Sequence, residues 1–312
     1  MKRRDFLKGC MICGAATTLG VSKKSWGAGS FEGYPEGMGV LVDLTRCVGC
    51  RSCEAACNKE QKLPTPDAPF NDQSVFEEKR RPTEKAYTVV NRYDVKNEGG
   101  SAGGPVYRKV QCNHCNEPAC LTSCFVNAYT KTKEGAVTYN PKICVGCRNC
   151  MIACPFNVPG YSYSSAFNPV VKKCIFCYDT RLKNGRPPAC VEICPQEVLT
   201  FGHRKDLLKI GHERIRETPD KYVDHIYGER EVGGTSWLYL SGVPFEQVGY
   251  DTTLGNDPII SNVKEFLGTV PMVLAIWPAL FTGFHLLSTR NKDHGEHGDH
   301  GHDHEKKEDG KQ

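Results

Sequence analysis

Apolar and polar residues alternate over short stretches of this chain, and each stretch runs into a polar turn. Met38-Gly39-Val40-Leu41-Val42-Asp43 and Ala136-Val137-Thr138-Tyr139-Asn140 carry the two-residue period of half-buried strands. Phe201 to Glu217 reads as a strand passing into a basic helix, and Trp237-Leu238-Tyr239-Leu240 as a further short strand. Two segments are apolar for longer. Gly9 to Val21 is too short to span a bilayer. Phe266 to Thr289 is 24 residues without a charge. As a helix it reaches about 36 Å, against an apolar bilayer core of roughly 30 Å. One transmembrane anchor is expected there, with a buried amphipathic helix as the alternative. Pro271 and Pro278 each free a helix carbonyl, which Ser/Thr side chains or neighbouring membrane helices can satisfy, so a multi-span membrane partner is expected.

The flanks of these segments set an orientation. Arg3-Arg4-Asp5-Phe6-Leu7-Lys8 before the first apolar segment has the twin-arginine form of an export signal, covering residues 1–28, rather than an ordinary basic start. Arg290 and Lys292 follow the second segment as a cytoplasmic flank would, although Lys264 on the other side weakens the bias. The central region is therefore expected on the periplasmic face of a bacterial inner membrane. The formal net charge is +4, but residues 1–28 hold six Lys/Arg against one acid, which leaves about −1 for the remainder. Such a balance gives no electrostatic case for nucleic-acid binding.

Cysteine spacing supplies the chemistry. Four quartets run through the chain: Cys47, Cys50, Cys53, Cys57; Cys112, Cys115, Cys120, Cys124; Cys144, Cys147, Cys150, Cys154; and Cys174, Cys177, Cys190, Cys194. The first and third follow C-x2-C-x2-C-x3-C, the bacterial ferredoxin run, in which three close thiolates wrap one cluster and the fourth reaches another. Thiolate is the soft ligand that cluster iron prefers, and Gly49 and Gly146 let the loop turn closely around inorganic sulfur. Sixteen thiolates, four per cubane, imply four 4Fe–4S clusters. The strands before the first and third quartets, with Cys154-Pro155 and Cys194-Pro195, complete the look of a repeated ferredoxin; Cys57-Asn58 and Cys124-Phe125 lack the proline. A disulfide framework or zinc sites are the structural alternatives. Disulfide scaffolds are usually short, and zinc sites lack the third thiolate and the C-x3-C completion. Cys10 and Cys13 fall in the export signal.

The remaining residues say less. Asn58 to Gln111 and Tyr227 to Tyr250 read as insertions that form docking surfaces, with Gly99 to Gly104 a flexible turn lacking the GK[ST] of a phosphate loop. His114 is either a hydrogen-bond donor that tunes a cluster or a loop histidine without a redox role. His285 is either a contact for quinone or an interfacial polar residue. The histidine-rich tail is a loose metal binder or, more simply, a solvated segment. No nucleophile–base constellation, nucleotide motif or separate metal site stands out, so no bond chemistry is expected of this chain.

With the cysteines placed, the chain resembles the four-cluster iron–sulfur subunits that link a catalytic subunit to a quinone-reactive membrane protein. The resemblance rests on Leu41-Val42-Asp43 with Cys47-Val48-Gly49-Cys50, on Gln111-Cys112-Asn113-His114-Cys115, and on the run Cys144 to Pro155. The twin-arginine signal, Tyr227-Gly228-Glu229-Arg230-Glu231 with Gly233-Gly234-Thr235, Gly242-Val243-Pro244, the single anchor and the His/Asp-rich tail are similar to the hydrogenase-2 type within that family. This resemblance implies crossed ligation: Cys47, Cys50, Cys53 with Cys194; Cys174, Cys177, Cys190 with Cys57; Cys112, Cys115, Cys120 with Cys154; and Cys144, Cys147, Cys150 with Cys124. It implies nickel–iron hydrogenase subunits and an integral quinone-reactive subunit as partners. A molybdenum or tungsten enzyme, such as a formate dehydrogenase or a sulfur-compound reductase, is the alternative partner, and a non-redox metal-handling or assembly protein the alternative of another class. The expected fold is α+β, with tandem ferredoxin-like 4Fe–4S modules carrying insertions. Its divisions are the signal at 1–28, the cluster domain at 29–262, the anchor at 263–289 and a cytoplasmic tail at 290–312.

Overall fold

The computed structural model describes residues 37–96, 102–163 and 170–292. The export signal, Gly99 to Ser101 of the glycine-rich turn and the histidine-rich tail lie outside the described residues. The chain divides into two units, Met1–Ser261 and Asn262–Gln312.

In the first unit, strand β1 (Met38–Asp43) is the centre of a three-stranded sheet. It pairs antiparallel with β8 (Leu199–His203), Met38 opposite His203, and parallel with β9 (Trp237–Leu240), Val40 opposite Trp237. All four residues of β9 are buried. Tyr227 to Tyr250 is therefore core rather than the docking insertion expected. The reason is visible in the tetrapeptide: it is apolar on both faces, as a parallel strand covered on both sides must be. Val40, Val42, Trp237, Tyr239, Tyr227 and Phe245 pack one face. Leu41, Leu238 and Leu240 pack the other against Leu207 and Ile215 of helix α5 (Arg204–Glu217).

The cysteine segments attach to this frame in pairs. Helix α1 (Ser52–Glu60) follows the first loop and packs against α4 (Ala189–Glu192) from the fourth quartet. Helices α2 (Ala119–Thr122) and α3 (Asn149–Ile152), from the second and third quartets, pack together, next to the antiparallel pair β4 (Tyr129–Lys131) and β5 (Val137–Tyr139). The first quartet is thus partnered with the fourth and the second with the third. Ser236, at the start of β9, joins the two pairs by bonding its N–H to the Asn113 carbonyl and its hydroxyl to the His114 carbonyl at 3.1 Å.

The segment expected as a loose insertion contains a long hairpin, β2 (Val89–Lys96) with β3 (Ala102–Val110), in which Gly103 and Gly104 are strand residues. Buried Glu54 in α1 clamps it: its carboxylate accepts from the Val90 N–H at 2.6 Å, from Arg80 at 2.6 Å and from Arg51 at 3.0 Å.

The second unit holds most of helix α6 (Ile259–Lys292). Its segment Met272–Thr289 is long and apolar enough to cross a membrane, and none of it is buried. Such a helix is consistent with a membrane anchor.

Candidate functional site

The same backbone device recurs in the first and third quartets. In the first, Gly49 (φ 70°) and Arg51 (φ 60°) take left-handed conformations on either side of Cys50; in the third, Gly146 (φ 69°) and Arg148 (φ 63°) do so around Cys147. Two such turns fold the loop back on itself and hand over to α1 and α3. The second and fourth quartets start their helices instead from Pro118-Ala119-Cys120 and Pro188-Ala189-Cys190, with the proline as N-cap. This shared Pro-Ala-Cys is a second repeat signal in the sequence, one that cysteine spacing alone misses. After the fourth cysteines, Asn127, Asn157 and Glu197 return their N–H groups to the carbonyls of Cys124, Cys154 and Cys194.

These turns gather the thiols across quartets. Cys47, Cys50, Cys53 and Cys194 line one cavity, together with Gly49, Tyr107 and Lys109. Cys112, Cys115, Cys120 and Cys154 line another, with Lys173 and Val137. Cys57 has Cys174, Cys190 and Cys177 as thiol neighbours, and Cys150 has Cys144, Cys147 and Cys124. All sixteen are free thiols, so no disulfide framework forms. Nor do they converge on points: among the described residues no three His, Cys, Asp or Glu side chains close on a single-ion site.

The donor chemistry fits a cluster at each gathering. Backbone N–H groups aim at the sulfurs: Ala128 to Cys124 Sγ at 3.2 Å, Gly146 to Cys144 Sγ at 3.4 Å, Phe176 to Cys174 Sγ at 3.4 Å. Burial pushes the thiols up, Cys47, Cys154 and Cys177 to about 11 and Cys120 and Cys174 to about 12. Iron would have to displace those protons, so cluster loading weakens as pH falls. His114 is buried and stacked on Phe176 with ring centroids 4.9 Å apart. Its Nδ1 accepts the Val137 N–H at 2.9 Å, which leaves the ring proton on Nε2, a buried atom without a hydrogen-bond partner. Burial first, and then Lys173, Lys131 and Lys109, hold this imidazole well below its ordinary range and neutral. A sulfide nearby would satisfy that donor.

Gly49 gives a direct check on the first loop. A Cβ there would run into the Tyr107 ring, and a left-handed backbone costs a non-glycine residue about 1–2 kcal/mol. Gly49→Ala is expected to lower the iron and sulfide bound by the purified protein. An unchanged stoichiometry would show that the loop does not wrap a cluster.

Strand, thiol loop and short helix, repeated and paired, define an iron–sulfur protein of the ferredoxin type. Residues 105–204 match the 4Fe-4S dicluster domain family. A protein of Nitratidesulfovibrio vulgaris is 50% identical over 294 residues, 94% of this chain and 78% of that one. Hydrogenase-2 operon protein HybA of Escherichia coli O157:H7 is 33% identical over 337 residues, 98% of this chain and all of that one. The iron-sulfur subunit of nitrate-inducible formate dehydrogenase of Escherichia coli K12 is 28% identical over 260 residues, 81% and 86% of the two chains. The chain belongs to the HybA family of iron–sulfur subunits.

Proposed function

We propose that this chain carries four 4Fe–4S clusters as an electron wire between a periplasmic nickel–iron hydrogenase and a quinone-reactive membrane subunit. The ligand sets are Cys47, Cys50, Cys53 and Cys194; Cys57, Cys174, Cys177 and Cys190; Cys112, Cys115, Cys120 and Cys154; and Cys124, Cys144, Cys147 and Cys150. The observation that carries the reading is the gathering of thiols from different quartets into these four groups.

Neighbour relations between groups support one linear order. Cys53 has Cys190 as a neighbour, Cys174 has Cys112 and Cys120 has Cys150, which links the first set to the second, the second to the third and the third to the fourth. The two ends are the solvent-exposed ones. Cys50 is exposed near exposed Val48 and Ile193, and Cys147 near exposed Ile143, Val145, Phe125 and Ile152. Apolar residues in water beside a terminal cluster suit contact with a partner. Electrons enter at one end, pass by tunnelling and leave at the other; the chain makes and breaks no bonds. Under this proposal the chain is exported by the twin-arginine route and anchored through Ile259–Lys292, with the wire on the periplasmic face; the helical segment Met272–Thr289, long and apolar enough to cross a membrane, supports the anchor.

The hydrogenase assignment rests on the whole-length likeness to HybA. The likeness to a formate dehydrogenase subunit keeps a molybdenum or tungsten partner as the second reading. An anaerobic detergent pull-down through a tag on this chain, with iron, sulfide, nickel, molybdenum and tungsten quantified, decides between them. Nickel with hydrogen-dependent dye reduction is the expected result. Molybdenum or tungsten would reassign the partner, and zinc without iron or sulfide would remove the wire.

A further inference from the structure

Charged lysines are seldom fully buried unless something offsets the loss of hydration. Among the described residues two are buried without a carboxylate. Lys109 is 4% exposed and Lys173 2%. Among the described residues no ion pair joins either to an Asp or Glu. Their partners are neutral. Lys109 Nζ donates to Gln111 Oε1 at 3.0 Å and sits 4.5 Å from the Trp237 ring centroid. Lys173 Nζ donates to the carbonyls of Val137 at 2.5 Å and Cys174 at 3.0 Å. What these amines have in place of carboxylates is sulfur. Lys109 lines the cavity of Cys47, Cys50, Cys53 and Cys194, and also has Cys57, Cys174 and Cys190 as neighbours. Lys173 lines the cavity of Cys112, Cys115, Cys120 and Cys154, and also neighbours Cys174. Each therefore stands at a junction between two thiol groups.

We infer that Lys109 and Lys173 are fixed positive charges that hold up the reduction potentials of the clusters on either side of them. The inference rests on the four-cluster reading above. Passage of one electron between neighbouring clusters oxidises one and reduces the other, and moves no proton in this scheme. The reduced cluster carries one more negative charge, and an ammonium in a dry, low-dielectric junction favours that state. Placed between two clusters, it favours reduction of both, so the inner clusters become accessible resting places for the electron. Among the described residues no buried lysine stands comparably at Cys124, Cys144, Cys147 and Cys150; Tyr129 and Tyr139 pack in the cluster that holds Cys124, Cys144 and Cys150 instead.

The test is a redox titration, followed by electron paramagnetic resonance, of the cluster-loaded full chain in its complex. In Lys109→Gln the midpoints of the first and second sets should fall, and in Lys173→Gln those of the second and third. The second set thus moves in both variants and the fourth in neither. A tenfold loss in the ratio of reduced to oxidised cluster at fixed ambient potential, about 59 mV for one electron, is the expected scale. Lys109→Arg and Lys173→Arg keep the charge and should keep the wild-type midpoints. Gln111→Glu leaves Lys109 in place but gives it a carboxylate, and should lower the same two midpoints as Lys109→Gln; it carries the test if the neutral variants load poorly. Unmoved midpoints in fully loaded variants, or an equal shift of all four, would overturn the inference. Absence of 4Fe–4S signals from the wild-type chain would instead overturn the four-cluster reading.

Discussion

Replacing Cys150 with serine is expected to stop electrons from reaching quinone while leaving the catalytic partner's dye-linked activity largely intact. Cys150 is buried in α3, packs in one cluster with Tyr129, and neighbours Cys144, Cys147 and Cys124. Serine offers a harder oxygen in place of the thiolate that cluster iron prefers. Its cluster ends the proposed chain, so no route bypasses it. Altering groups that merely support a metal ligand commonly costs about 10–100-fold. Loss of a ligand in series should exceed that. Quinone-linked and dye-linked turnover, measured beside the resonance spectrum of the same preparation, give the check. Undiminished quinone reduction with that cluster missing from the spectrum would sink a serial wire.

Removal of the Glu54 carboxylate should give the largest loss of stability among single changes away from the thiols. Glu54 is 5% exposed and joins three elements: α1, whose first turn it occupies, the hairpin through the Val90 N–H, and the preceding segment through Arg80. Arg51 completes the network by donating to the carbonyls of Pro69 at 3.0 Å and Asp72 at 2.8 Å. Glu54→Ala leaves two guanidinium groups without their counter-ion, Arg51 almost wholly buried, and breaking a buried pair in this way costs about 3–5 kcal/mol. A lowered unfolding midpoint of the cluster-loaded chain, with Cys57 and the α1 loop the first to lose iron, is the expected result. A midpoint within about 0.5 kcal/mol of wild type, the range of ordinary surface substitutions, would show that the clamp carries no weight.

Several elements are legible in the residue pattern alone. Met38–Asp43 and Trp237–Leu240 are strands over the residues expected, and Val137–Tyr139 lies inside Ala136 to Asn140. The basic helix after Phe201 is Arg204–Glu217, and the uncharged segment Phe266 to Thr289 falls within Ile259–Lys292. Local patterns announce these because each depends on residues near one another in sequence. The hairpin Val89–Lys96 with Ala102–Val110 is hidden because prolines and charges around it resemble a surface insertion. Its charges, Arg80 above all, are spent inward on Glu54. The burial of Lys109 is hidden for the same reason: nothing in the residue pattern says that it has Cys53, Cys57, Cys174 and Cys190, from segments far along the chain, as neighbours.

By itself the sequence determined the ligand chemistry, since sulfur type and C-x2-C spacing are properties of a single loop. It also determined the short strands and the apolar helix, through periodicity and length. Which thiols meet was implied by the family resemblance and by no segment's own pattern; the tertiary structure sets it physically, because Cys47 and Cys194 are brought to one cavity by β1 pairing with β8 and α1 packing on α4. It decided as well that Trp237–Leu240 is core and that two lysines lie between thiol groups. Pairing across more than a hundred residues depends on which surfaces bury each other, and that is a property of the packed chain rather than of any segment in it.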